Sequence, residues 1–372
     1  MHIENPTYTL LASAFTAFVV VFMSIPTIVR VAHTKHLMAE PGQRSSHDSR
    51  VPTLGGLSIF AGLMISTGLW IDAQAFREYQ YIVAAVILLF FTGIKDDILI
   101  IAPITKMASQ IIAALIIIVF GDIRITDLHG FFDVHHLNFA FSVIISLLTI
   151  LVIINGFNFI DGVDGLSASI GIITTSAFAY WFILIKEYQL SILACSFIGA
   201  LLGFFLFNVF GEKNKIFMGD TGSLLIGLIL SVLVIKFNEL NIDKSKPYAL
   251  YPAPAVSFGI LIIPLFDLIR VMFIRVIIKR PISKPDKNHL HHMLLKLGLS
   301  HRWVSFSMSV TNLFFIYFVF YTARFISIRR QLLLIFILAM IITYIPVYIL
   351  ARRKKKENAK KNSNKEHDGK SI

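Results

Sequence analysis

The chain has 372 residues, of which 56% are hydrophobic and only 15% charged, and its mean hydropathy is +0.75. That is more apolar side chain than a soluble core of this size can hide, so the composition excludes a water-soluble enzyme and makes lipid the solvent. The formal charge of +12 at pH 7 is concentrated, with nine Lys and Arg between Arg352 and Lys370; a polybasic run directly after an apolar segment fixes topology and touches anionic membrane lipids, and no nucleic acid is expected as a partner.

In chain order, the first apolar stretch runs from about Thr7 to Val29. It follows Glu4, lacks the basic leader of a cleaved signal, and reads as a retained helix. Further windows long enough to span lie near 55–71, 80–94, 104–120, 139–155, 164–185, 189–209, 221–237, 253–277, 304–322 and 331–350. The expected fold class is therefore all-α, a polytopic membrane helical bundle of about 11 transmembrane helices. Residues 1–351 would form one transmembrane domain and 352–372 a polybasic cytoplasmic tail without regular structure. Placing that tail in the cytoplasm leaves roughly 25 Lys and Arg inside and roughly nine outside, as the positive-inside rule requires. The N-terminus is then outside. The loops around 30–54, 95–104, 155–164, 208–220 and 278–303 become cytoplasmic. The outer loop Gly121 to Asn138, with His129, His135 and His136, reads as a polar cap, and the single Cys195 lies in an apolar segment with no partner for a disulfide.

Every motif falls on the inner loops. The first, Pro41-Gly-Gln-Arg44-Ser-Ser-His47-Asp-Ser-Arg50, precedes Gly55 and Gly56; its basic residues are topogenic or functional, and the glycines suggest close helix packing or a ligand-facing backbone. Asp96 and Asp97 end the third span, where an ionised carboxylate costs about 2.5–3.5 kcal/mol at worst depth and a negative pair opposes the helix dipole. A divalent cation would remove both penalties. In Asn155-Gly-Phe-Asn158-Phe-Ile-Asp161-Gly-Val-Asp164-Gly, a helical turn would align Asn158, Asp161 and Asp164 along one side, while Asp164 could instead cap the next helix. Lys215-Ile-Phe-Met-Gly-Asp220-Thr-Gly-Ser opens an apolar helix; Asp220 could hold a cation against a phosphate bound at the helix N-terminus, with simple capping as the competing reading. Last, His289-Leu-His291-His292 lies on a loop, suited to donate to phosphate oxygens, and Leu290 to Leu299 forms an amphipathic stretch that could lie flat at the interface.

In this order the motifs resemble the polyprenyl-phosphate N-acetylhexosamine-1-phosphate transferase family, in its bacterial undecaprenyl-phosphate GlcNAc-1-phosphate transferase branch, across roughly residues 40 to 305. Two departures stand out. Gly156 occupies a position where alanine is usual, and no basic residue cleanly matches the one that the muramoyl-pentapeptide branch carries before Pro52-Thr-Leu-Gly-Gly. The resemblance implies transfer of a sugar 1-phosphate, GlcNAc-1-phosphate first, from a UDP-N-acetylated sugar to undecaprenyl phosphate at the cytoplasmic face of the bacterial inner membrane, with release of UMP and Mg2+ (or Mn2+) as cofactor. It implies catalytic roles for Asp96, Asp97, Asp161 and Asp164, and Mg2+ ligation by Asp220 helped by Asp97. It implies substrate contacts from Asn158, His289, His291, His292, Arg44 and His47. The oligomeric state is left open, a homodimer included. The competing class is an ion-coupled membrane transporter, which intramembrane acids and broken helices also mark.

Overall fold

The computed structural model describes residues 6–37, 51–99, 101–277, 279 and 289–368. The loop carrying Arg44, His47 and Arg50 lies outside the described residues.

The chain folds into helices α1 (Pro6–Thr34), α2 (Gly55–Trp70), α3 (Tyr79–Leu99), α4 (Pro103–Leu115, continued by a π turn over Ile116–Phe120), α5 (Phe139–Ile160), α6 (Leu166–Leu184) and α7 (Tyr188–Phe210). They are followed by α8 (Gly219–Leu240), α9 (Ala253–Ile260), α10 (Ile262–Ile277), α11 (Leu290–Lys296), α12 (His301–Thr322) and α13 (Ile328–Asp368). Every expected span but the one over 253–277 meets a single helix, with a π turn in the one over 104–120, and the bundle is an all-α polytopic membrane protein. Among the described residues eight helices are long and apolar enough to cross a membrane by length and composition. The count of about eleven meets shorter pieces elsewhere. α2 has 16 residues, and the segment expected as one span over 253–277 is two helices. Pro264 supplies the reason for that break: it has no N–H to give the carbonyl of Ile260, where α9 ends, and its ring crowds that carbonyl. α13 carries on through the polybasic run to Asp368, where the sequence suggested an unstructured tail.

α8 is the hub. Its side chains from Thr221 to Ile235 are buried without interruption, as expected of a helix apolar all round. It packs against α2, α3, α5, α6 and α9. Outer helices keep large apolar side chains exposed, among them Phe15, Phe91, Ile104 and Tyr317. In a chain of this hydropathy these faces meet lipid.

One end of the bundle is closed by polar groups around the C-terminal turns of α8. Thr126 donates from its backbone N and its Oγ1 to the Glu239 carboxylate at 2.7 and 2.6 Å, and Lys236 pairs with Glu78 at 2.6 Å. The expected polar cap here is an antiparallel hairpin, β1 (Asp127–Phe131) and β2 (Val134–His136). Its two-residue turn, Phe132 and Asp133, has φ of 55° and 62°, which is the I′ pattern that matches strand twist. Gln189 at the start of α7 accepts from Asp72 N at this same end. α1 runs parallel to α7: Gly199 sits against Ala14, Gly203 against Phe18 and Val21, and the Phe22 and Phe207 rings lie 5.1 Å apart. The Pro6 end of α1 is therefore at the hairpin end. Arg353 on α13 donates to Leu297 O at 3.1 Å beside α11, at the opposite end.

Candidate active site

The N-terminus of α8 forms the floor. Segment 51–56 pairs with the residues leading into it: Phe217 N donates to Pro52 O at 2.8 Å, Gly55 N to Phe217 O at 2.9 Å and Gly56 N to Met218 O at 2.8 Å. Gly56 and Gly93 let α2 and α3 press onto the backbone of Thr221 and Gly222, leaving no room for a Cβ at either glycine. Of the readings open for Gly55 and Gly56, close packing is the one observed. Capping of α8 comes from another helix. Met218, at its N-cap, makes no side-chain cap. Asp97 Oδ1 accepts from Asp220 N at 2.7 Å, and Oδ2 accepts from Thr221 N at 3.1 Å and Thr221 Oγ1 at 2.6 Å. Asp97 was expected as a metal ligand; both its oxygens accept hydrogen bonds from this helix end, where the orphan N–H groups and the dipole favour an anion.

Beside it, Asp96 and Asp220 share one cation. Lys106 Nζ lies 3.1 Å from Asp96 Oδ2 and 2.8 Å from Asp220 Oδ1. Asp96 Oδ1 accepts from Ile101 N at 2.8 Å. Asn158 donates its amide to Asp220 Oδ1 and, at 2.9 Å, to Ser223 Oγ. Asn155 donates to Gln110 Oε1 at 2.9 Å and so ties α5 to α4. Lys106 is the residue that motif reading missed. Its signal was modest but legible: it is the only charge in the α4 sequence, and a lone charge in an apolar helix needs a partner.

The loop after α5 departs from the helical alignment considered for it. α5 stops at Ile160, and Asp161 turns away at φ −79°, ψ 49°, so Asn158 and Asp164 face different neighbours. Desolvation comes first, and the nearby carboxylates of Asp220, Asp97 and Asp164 add to it, in holding the Asp161 carboxyl well above the ordinary carboxylate range. Asp164 does not cap α6; Gly165 does, at φ 76°. Asp164 Oδ2 pairs with Lys215 Nζ at 2.7 Å, with His301 Nδ1 at 3.9 Å. Asn208 fastens this loop to the next one, accepting from Gly165 N at 2.6 Å and donating to Ile216 O at 2.8 Å.

Opposite lie the imidazoles. His289 and His291 are buried, 4% and 1% exposed, so α11 is tucked into the end of the bundle and is not the open interfacial helix the sequence suggested. His289 Nδ1 lies 2.8 Å from Asp267 Oδ2, and its ring stacks on Phe159 at 5.2 Å. His291 packs against Gly162 and His292. Burial pushes the His291 pKa down to about 3, with the neighbouring His292 adding to the effect, so its ring is neutral in the folded protein. Asp96, Asp97, Asn158, Asp161, Asp164, Asp220 and the three histidines are thus gathered at one end of the molecule. Arg44 and His47 lie outside the described residues.

Among the described residues no three His, Cys, Asp or Glu side chains form a ready cage for a metal ion. The donor set nevertheless fits Mg2+. Asp96 and Asp220 offer hard oxygens already spanned by an ammonium group, and Mg2+ commonly takes one or two carboxylates and completes its shell with water and substrate phosphates.

The model for glycosyl transferase family 4 matches residues 79–238. Over 338 residues the chain is 31% identical to a protein of Bacillus subtilis described as a probable undecaprenyl-phosphate N-acetylglucosaminyl 1-phosphate transferase, covering 87% of this chain and 88% of that one. It is 27% identical over 276 residues, 73% of each chain, to the undecaprenyl-phosphate alpha-N-acetylglucosaminyl 1-phosphate transferase of Escherichia coli. A decaprenyl-phosphate N-acetylglucosaminephosphotransferase of Mycobacterium tuberculosis is 29% identical over 311 residues, 78% of this chain and 76% of that one.

Proposed function

Because the chain belongs to glycosyl transferase family 4, we propose that it transfers N-acetylglucosamine 1-phosphate from UDP-N-acetylglucosamine to undecaprenyl phosphate at the cytoplasmic face of the bacterial inner membrane, releasing UMP and starting a lipid-linked glycan. The observation that carries this reading is the cluster of Asp96, Lys106, Asn158 and Asp220 at the N-terminus of α8, with the α11 imidazoles across the 161–165 loop. The reaction brings a phosphate dianion against a diphosphate. The acceptor's second pKa is about 6, so no strong base is needed to activate it. The requirement is relief of repulsion and in-line placement of attacking and leaving oxygens.

This chain's residues are suited to that work. Asp220 and Asp96 would hold Mg2+, which supplies charge neutralisation on the donor diphosphate when bound. Lys106 stands within the same cluster to meet phosphate oxygens. His292 can donate a ring N–H from the facing side, and His289 can do so from Nε2 when its ring carries both protons. The acceptor oxygen bonds to the sugar-bearing phosphorus as the bond to UMP breaks, with no covalent enzyme intermediate; exchange of labelled UMP into UDP-sugar in the absence of lipid would overturn that direct route. A carrier has less support, since the polar groups collect at one end of the bundle and not near its middle.

The test is incubation of purified protein with undecaprenyl phosphate, Mg2+ and a panel of UDP-sugars. UMP should appear one-for-one with a lipid heavier by GlcNAc-phosphate. Release of UMP with none of the donors, or uptake of UDP-sugar into sealed proteoliposomes without lipid product, would overturn the reading.

A further inference from the structure

We propose that Asp267, on α10, is a positioning residue for the transfer: its buried carboxylate holds His289 by Nδ1, fixes the start of α11, and leaves Nε2 as the ring nitrogen presented to a substrate phosphate. This rests on the reading of the site given above.

Asp267 is 2% exposed, in a helix that is otherwise mostly apolar, where an unpaired carboxylate costs several kcal/mol. A purely structural pairing with Arg270, one turn along, would account for part of its bonding: Arg270 Nη2 lies 2.8 Å from Oδ1. It does not account for the rest. Oδ1 also accepts from Leu290 N at 3.0 Å, the first amide of α11, whose N-cap residue His289 makes no cap of its own. Oδ2 faces His289 Nδ1 at 2.8 Å. Asp267 therefore serves α11 as Asp97 serves α8, a carboxylate from a different helix seated on an unfinished helix end.

The ring itself is held from three directions. Phe159 stacks at 5.2 Å with 19° between planes, and His291 lies 5.8 Å away with 11° between planes. The carboxylate then fixes which edge points where. With Nδ1–H donated to Asp267, only Nε2 remains for substrate, and it donates to a phosphate oxygen when the ring carries both protons. Phe159 follows Asn158, the residue that bonds Asp220, so the last turn of α5 carries both a member of the acidic cluster and the stacking partner of the imidazole.

A double-mutant cycle tests the assignment. Asp267→Asn should lower kcat by about 10- to 100-fold, as loss of an orienting partner does, with the KM for UDP-sugar changing far less. In a His289→Gln background the same change should cost less than about three-fold, because its route of action is gone. Asp267→Glu should recover part of the turnover. An equal loss in both backgrounds would overturn the proposal, as would full turnover of Asp267→Asn. A second readout needs no turnover: in histidine-15N-labelled protein, the Nδ1–H proton of His289 should be visible, retained in Asp267→Glu and lost in Asp267→Asn. Its absence from the parent protein would overturn the dyad even if transfer is normal. A parent protein that shows the proton but transfers no sugar phosphate would instead sink the functional reading and leave the dyad standing.

Discussion

Burial of His291 has a thermodynamic signature. Its native pKa of about 3 lies below the ordinary 6.5, so across that window the unfolded chain takes up a proton that the folded chain refuses. Stability contributed by the neutral ring is present above about pH 6.5 and falls as pH drops toward 3. His291→Gln should flatten the decline of Tm in detergent between pH 6.5 and 5; an unchanged slope would contradict the buried setting. Asn208 makes a different prediction. It links the 161–165 loop to Ile216, and Asn208→Ala should cost about 1–3 kcal/mol by stranding a buried N–H and a buried carbonyl, measured as a lower Tm with a parallel loss of turnover. The carboxylates were legible in the sequence because a charge at a membrane surface is too costly to be idle. Asn208 was not, since a single amide near the end of an apolar helix carries no pattern, and Lys106 carried only the faint signal of being alone in α4.

At the level of elements, the two adjacent acids of α3 have separable jobs. Asp97→Ala removes the cap of α8 and should lower Tm by the equivalent of about 1–2 kcal/mol, whereas Asp220→Asn should leave Tm nearly unchanged and weaken the Mg2+ dependence of turnover. Equal effects of the two variants on Tm would contradict the division. Gly93→Ala should also destabilise, by about 1–3 kcal/mol, because its methyl would meet the backbone of Thr221. The helices themselves were readable from apolar windows, since each needs only length and composition. The hairpin was not: its turn places Phe132 and Asp133 at positive φ without the Asn-Gly or Asp-Gly signal that normally announces such a turn, and Arg329, distant in sequence, holds Asp133 at 2.7 Å. The cap of α8 was not legible either. Local rules offered Asp220 as the competing capping residue, while the capping group came from another helix.

For the whole molecule, the parallel course of α1 and α7 and the seat of Arg353 beside α11 put Pro6 and the basic end of α13 at opposite ends of the bundle. In a Cys195→Ala background, Tyr8→Cys should react with an impermeant maleimide in intact cells and Lys356→Cys only after permeabilisation; labelling of both from one side would refute the odd number of crossings. The trans cap of α8 also has a consequence in time. Asp97 and Asp220 are 123 residues apart, and a ribosome adding about 5–20 residues per second needs roughly 6–25 s to cover that distance. During that interval α3 through α7 have been synthesised while Asp97 has no helix end to bind. A chain released before Gly219 therefore carries α1 to α7 without the α8 end that Asp97 seats on, and is expected to show no transfer of sugar phosphate.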